Sequence, residues 1–262
     1  MSIERIKAVI LQELFITKRS LEVIMDLFFF SVVSILVFGL VSVFISQSAG
    51  VRTAQLLLIG LLLWEIIRIT QYSMSVGALW NIWSRNLSNM FIAPLTLAEY
   101  MIAQMISGII KSLFIFLLIS TITILIFHFN IFNLGLLNLA FFFMNLTIFS
   151  WSLGIVLLGV IFRFGTRIQA LAWGTVFIFQ PLTAAFFPVK ILPSFLQNIA
   201  YLFPPTYVFE AARGALSNQS INWQYMLISL MENLIYFAAS LWFFNLMFKK
   251  SKQTGQFSRN EG

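Results

Sequence analysis

Four ionisable residues, Glu65, Arg68, Lys111 and Glu232, sit deep inside long apolar stretches of this chain. A charge at the centre of a bilayer costs roughly 2.5–3.5 kcal/mol on insertion scales, so such residues find a partner or serve a task. Their formal charges cancel, which suggests pairing. Glu65 and Arg68 stand three apart, the spacing at which two side chains meet on one helix face. Glu65 and Lys111 each lie about a dozen residues from the inner end of their stretch. The two stretches run in opposite directions, which predicts a shared depth. Asp26, near the inner end of the first stretch, can reach the interface. Two kinds of chemistry fit these charges: a polar lining for a substrate path, or proton coupling through Glu65 or Glu232. The structural alternative is an ion-pair network that only joins the second, third and sixth stretches.

Much other chemistry is excluded. The sequence has no cysteine and one histidine, His128, which rules out thiolate sites, disulfides and a histidine metal cluster within one chain. It contains no G-x-x-x-x-G-K-[ST] phosphate loop, no H-E-x-x-H pair and no G-x-S-x-G elbow. No pair of Asp-rich motifs offers a magnesium–diphosphate site. We therefore assign no catalytic, cofactor-binding or metal-ligating residue, and powered work must draw on another polypeptide.

The elements that carry these charges are membrane-sized. Of 262 residues 60% are hydrophobic and 10% charged, against about 25% charged in a soluble domain. A spanning helix needs about 20 apolar residues. Six stretches qualify, at 24–46, 54–77, 100–127, 134–162, 168–189 and 225–248. The expected fold is an all-α integral membrane protein with six transmembrane helices, forming one membrane domain. Residues 1–22 are its interfacial helix, 24–248 its core and 249–262 its basic tail. In the first segment Ile3, Ile6, Ile10 and Leu14 recur at helical spacing, with Glu4, Arg5, Lys7, Glu13 and Lys18 mostly opposite. That pattern predicts an amphipathic helix lying in the interface plane. The first apolar run is too long for a signal peptide, so the N-terminus is expected to be retained.

Orientation follows from Lys and Arg. With the N-terminus inside, the inner segments hold Arg5, Lys7, Lys18, Arg19, Arg85 and Arg163, then Arg167, Lys249, Lys250, Lys252 and Arg259. The outer segments hold Arg52, Lys190 and Arg213, so eleven face three and both termini are expected in the cytoplasm. The net charge of +7 is spread over the ends of apolar segments, which argues against nucleic acid as a partner. Phenylalanine, at 30 residues, reads as lipid-facing and core filler.

Two loops exceed what a connector needs. The outer segment 190–224 keeps an apolar helical period, punctuated by Pro193, Pro204 and Pro205, which suggests one or two short helices dipping back into the outer leaflet. On the inner side, Asn86 or Ser88 can cap a short helix that Pro94 ends. Thr96 then caps the third span, with Glu99 at capping-box spacing.

In this order the chain resembles the membrane-spanning permease subunits of type-2 ATP-binding-cassette (ABC) exporters. The outer run 202–213 is similar to that family's signature, with Pro204, Tyr207 and Arg213 matching and Pro205 departing from its usual apolar residue. Residues 85–99 resemble the family's cytoplasmic coupling helix and its proline-containing entry to the third span. The resemblance implies two cytoplasmic ATPase subunits binding ATP and Mg, no cofactor in this chain, and a second permease copy, identical or different, in the lipid of the cytoplasmic membrane. It also implies export by alternating access at the permease dimer interface. On that reading Arg85, Leu87, Met90, Phe91, Ile92 and Pro94 form the ATPase-coupling element. Leu87, Met90, Phe91 and Ile92 are its apolar ridge and Arg85 its rim contact. Pro204, Tyr207, Glu210 and Arg213 form an outer gate; a plain surface pair is the alternative for Glu210 and Arg213. Pro181 offers a bend in the fifth span. The substrate class expected is an amphipathic drug, lipid or lipid-linked glycan. The competing functions are an integral-membrane enzyme of lipid metabolism, a proton-coupled transporter using Glu65 or Glu232, and a membrane-assembly factor.

Overall fold

Residues 1–216 and 221–254 are described by a computed structural model, with the side chains of Leu87, Ser88 and Phe91 outside the description. Among the described residues the fold is helical, without strands. The helices are α1 (Ile3–Arg19), α2 (Leu21–Ile24), α3 (Phe30–Ala49), α4 (Val51–Trp83), α5 (Leu87–Ile92) and α6 (Leu97–Phe127). They continue with α7 (Leu136–Phe164), α8 (Gln169–Leu182), α9 (Ser194–Ala200), α10 (Pro204–Leu216) and α11 (Trp223–Gln253). A π-helical turn, Met25–Phe29, joins α2 to α3.

Glycine and capping chemistry set the turns. Gly50, at φ 88°, is the sole residue between α3 and α4, so this connection is tight. Thr96 accepts a bond from the Glu99 N–H, and Glu99 reaches back to the Thr96 N–H, forming the expected capping box. Ala93 is extended, as a residue before proline must be, and Pro94 keeps α5 apart from α6.

Five stretches are long and apolar enough to cross a membrane: Leu21–Ala49, Val51–Trp83, Leu97–Phe127, Leu136–Leu182 and Trp223–Gln253. The fourth is a hairpin. Phe149 and Phe179 meet with ring centroids 5.6 Å apart. A straight helix would hold them about 45 Å apart, so the chain reverses around Gly165 at φ 67°. The expected fifth span, 168–189, is therefore corrected. Helix is continuous only over the 14 residues Gln169–Leu182, and it stops one residue after Pro181 rather than bending there. Pro181 has no N–H to donate to the carbonyl four residues before it, so the last turn of α8 is one bond short.

α4 is the central element. It packs on α3, α6, α7 and α8, while α11 packs on α7 and α10. Most of α4 is buried inside the protein, whereas α3 and α11 keep Leu40, Phe44, Ile235 and Trp242 exposed, as lipid-facing helices do. Among the described residues of the segment 190–224 there are two short α-helices, α9 and α10, and α10 packs against α7 and α11.

Candidate functional site

α3 and α8 both pack on α4 but scarcely on each other. The gap between them is a cavity of about 500 Å³. Its walls are aromatic, from Phe30 and Phe38 of α3, Trp64 of α4, and Trp173 and Phe177 of α8, with Phe186 beyond α8. Its polar groups are Asp26, Ser34, Glu65, Arg68, Gln71 and Gln180, joined by Tyr72. Apolar walls with a few convergent polar groups are the usual make-up of a small-molecule site.

The polar side is built around the predicted Glu65–Arg68 pair. Arg68 Nη2 lies 2.6 Å from Glu65 Oε2, and Arg68 Nε lies 3.0 and 3.1 Å from the two carboxylate oxygens. Ser31 of α3 accepts from Arg68 at 2.6 Å and donates toward Glu65 at 2.7 Å. Arg68 Nη1 also donates to the Asp26 carbonyl at 3.2 Å. That carbonyl belongs to the π-turn, whose wider ring lets a helical carbonyl turn toward a neighbour. The Asp26 carboxylate accepts from the Tyr72 hydroxyl at 2.8 Å.

Lys111 is not part of this cluster, and the single network expected across the second, third and sixth spans is not formed. Lys111 Nζ pairs with Glu13 of α1 at 3.1 Å, and Gln104 donates to the same carboxylate at 2.9 Å. A lysine's flexible four-carbon stem lets the ammonium lean toward α1. Glu232 stands apart on α11, with Oε2 lacking a hydrogen-bond partner among the described residues.

The Glu13 contact corrects the reading of α1. Glu13 and Val9 are buried, and Ile3 of the expected apolar stripe is 70% exposed. Arg5, Gln12 and Glu13 of α1 face the protein, while Glu4, Lys7, Lys18 and Arg19 stay exposed. Arg5 Nη2 meets Glu99 at 2.7 Å, the Ser2 N–H meets it at 2.6 Å, and Gln12 donates to Asn81 of α4 at 2.9 Å. Periodicity could not reveal this, because the partners lie 69 to 98 residues away in sequence.

At the end of α4 next to α1, α5 divides the predicted ridge. Met90 is 9% exposed with its sulfur 3.9 Å from Gln12 Nε2, whereas Ile92 is 83% exposed. Met90 thus anchors α5 to the body and Ile92 points away from it. Met90 and Ile92 stand two apart, a spacing that points side chains to different sides of a helix. Arg85 and Pro94 are exposed beside it, and the side chains of Leu87 and Phe91 lie outside the described residues, as does Arg259. Arg85 adopts a left-handed conformation at φ 52°, which a non-glycine residue holds at a cost of roughly 1–2 kcal/mol.

At the opposite end of the fold, Arg213 of α10 is 6% exposed. It pairs with Glu210 at 2.6 Å and donates to the carbonyls of Ala184 and Ala185, the latter at 3.0 Å. Glu210 also accepts the Val189 N–H at 3.0 Å. The pair therefore staples the irregular segment after α8 to α10, and Ala184 in that segment is held at φ 50°. Burial pulls the Arg213 pKa below its ordinary value, and the Glu210 carboxylate opposes that shift. Tyr207 donates to the Tyr201 carbonyl at 2.9 Å, and burial raises both phenols. Pro204 opens α10 at its first position, where no N–H is needed, and its carbonyl accepts from Ser229 of α11 at 3.0 Å.

No curated protein matches the chain. The family model described as ABC-2 type transporter matches residues 4–217, which include the cavity, α5 and the outer staple and stop short of α11. With a multi-pass helical fold and a match over most of its length, the chain belongs to the ABC-2 type transporter family, as a membrane transport subunit that is not itself catalytic.

Proposed function

We propose that this permease subunit exports an amphipathic molecule (a drug, a lipid or a lipid-linked glycan) across the cytoplasmic membrane, taking it through the cavity between α3, α4 and α8. The observation that carries the reading is that cavity: about 500 Å³ of aromatic-walled space with a few polar groups on one side. An apolar body fits its walls and a polar head fits Gln71, Gln180 and the charged cluster.

Two permease copies, identical or different, and two ATPase subunits complete the machine. ATP and Mg belong to the ATPases. Nucleotide-driven closure presses on α5, with Arg85 and the exposed Ile92 as contacts, and α5 passes the push to α4 and α6. Both termini face the cytoplasm. A sixth crossing is made by residues 165–185, which supply about 30 Å of rise if counted at helical pitch, the depth of a bilayer core. Pro204, Tyr207, Glu210 and Arg213 hold the outer end closed until the cycle opens it.

The test is transport in inside-out vesicles containing the permease and its ATPase. ATP should drive accumulation of a fluorescent amphipathic dye, and Ser34→Trp, which places an indole in the cavity, should abolish it. Dye accumulation that survives Ser34→Trp, or that follows a proton gradient without ATP, overturns the proposal.

A further inference from the structure

We infer that the cavity between α3, α4 and α8 selects amphipathic molecules bearing a positive charge, with Asp26 as the anion that receives it. The inference rests on reading the cavity as the substrate path.

The charge balance carries it. Three charged residues line the cavity: Asp26, Glu65 and Arg68. Arg68 is committed to Glu65 through Nε and Nη2, at 2.6 to 3.1 Å, and these two charges cancel. Asp26 has a different neighbourhood. Its carboxylate takes one hydrogen bond, from the neutral Tyr72 hydroxyl at 2.8 Å. Among the described residues no Lys or Arg forms an ion pair with it. The formal charges of the lining therefore sum to minus one. A carboxylate has about four acceptor sites, so one phenol leaves Asp26 with capacity for a further donor.

The walls point the same way. Seven of the sixteen lining residues are aromatic. Trp, Tyr and Phe faces attract a desolvated cation and repel an anion. Asp26 sits half-buried on the π-turn, and Phe30, one helical turn on, is exposed at the cavity's edge. A cation entering with an apolar body would meet ring faces along the way and a carboxylate at the end. An anion of the same shape would meet neither partner.

The test uses two lipophilic ions of nearly equal size and opposite charge, tetraphenylphosphonium and tetraphenylborate. Each is bound to the purified full-length chain in nanodiscs of zwitterionic lipid, and the site-specific signal is the part lost in Ser34→Trp. The phosphonium should bind about tenfold or more tighter than the borate at that site, and Asp26→Asn should erase about tenfold of the preference. Asp26→Glu should retain it, and serves as the comparison if Asp26→Asn elutes as aggregate. Site-specific binding that favours the borate, or a preference unchanged in Asp26→Asn, overturns the charge inference while leaving the path intact. Binding of both ions that ignores Ser34→Trp overturns the path itself.

Discussion

Breaking the Glu13–Lys111 pair should undock α1, and restoring apolar complementarity should bring it back. Both side chains are nearly sealed from solvent, at 3% and 6% exposure, with 3.1 Å between charge centres. Removing one member of a buried pair leaves an uncompensated charge and costs about 3–5 kcal/mol, while replacing both with apolar residues of similar volume is often neutral or better. Lys111→Met leaves Glu13 with the Gln104 amide alone, at 2.9 Å. Glu13→Leu leaves the buried Lys111 ammonium without its carboxylate. Each single variant should lose about 10 °C of melting temperature, taking roughly 2–4 °C per kcal/mol for a chain of this size. The double variant Glu13→Leu/Lys111→Met should recover most of that loss, because the two charges are removed together. The assay is thermal melting in detergent, read by the surviving monodisperse peak. A double variant no better than the worse single variant refutes the reasoning, as do single losses below about 1 kcal/mol.

Two further outcomes follow from the outer end of the fold. Arg213→Ala removes the partner of Glu210 and frees the carbonyls of Ala184 and Ala185, so expression and transport should fall together, with a melting loss of about 3–5 kcal/mol. Transport loss at unchanged melting would assign Arg213 to gating alone. Gly60→Val should misfold, because a Cβ at Gly60 would collide with the Ala185 carbonyl oxygen, a backbone atom that cannot rotate away. Wild-type melting in that variant would show that the segment after α8 does not lie on α4.

The legible parts of this protein were those written in local pattern. Apolar length located the helices to within a few residues at most ends, and Thr96 with Glu99 announced its own cap. The i, i+3 spacing of Glu65 and Arg68 was enough to pair them. The missed parts depend on partners remote in sequence. Glu13 looked like a solvent-facing residue of an interfacial helix, since Lys111 and Gln104 come within reach only when α1 docks on α6. The irregular stretch after α8 was hidden because Thr183, Ala184, Ala185 and Phe186 are as apolar as a helix interior. There the Arg213 side chain of α10 takes the carbonyls that helical bonding would otherwise use. The cavity was not legible either. It is a gap between α3 and α8, and Ser34, Gln71 and Gln180 carry no shared motif that marks them as its lining.

The account depends most on force from a second polypeptide entering through α5. Its direct test is affinity purification of the tagged chain co-expressed with its ATPase, comparing the wild type with Ile92→Asp. The wild type should carry the ATPase in equal amount with vanadate-sensitive hydrolysis, and Ile92→Asp should lose both at an unchanged melting temperature of the membrane chain. Undiminished ATPase recovery and hydrolysis with the Ile92→Asp chain would contradict the account.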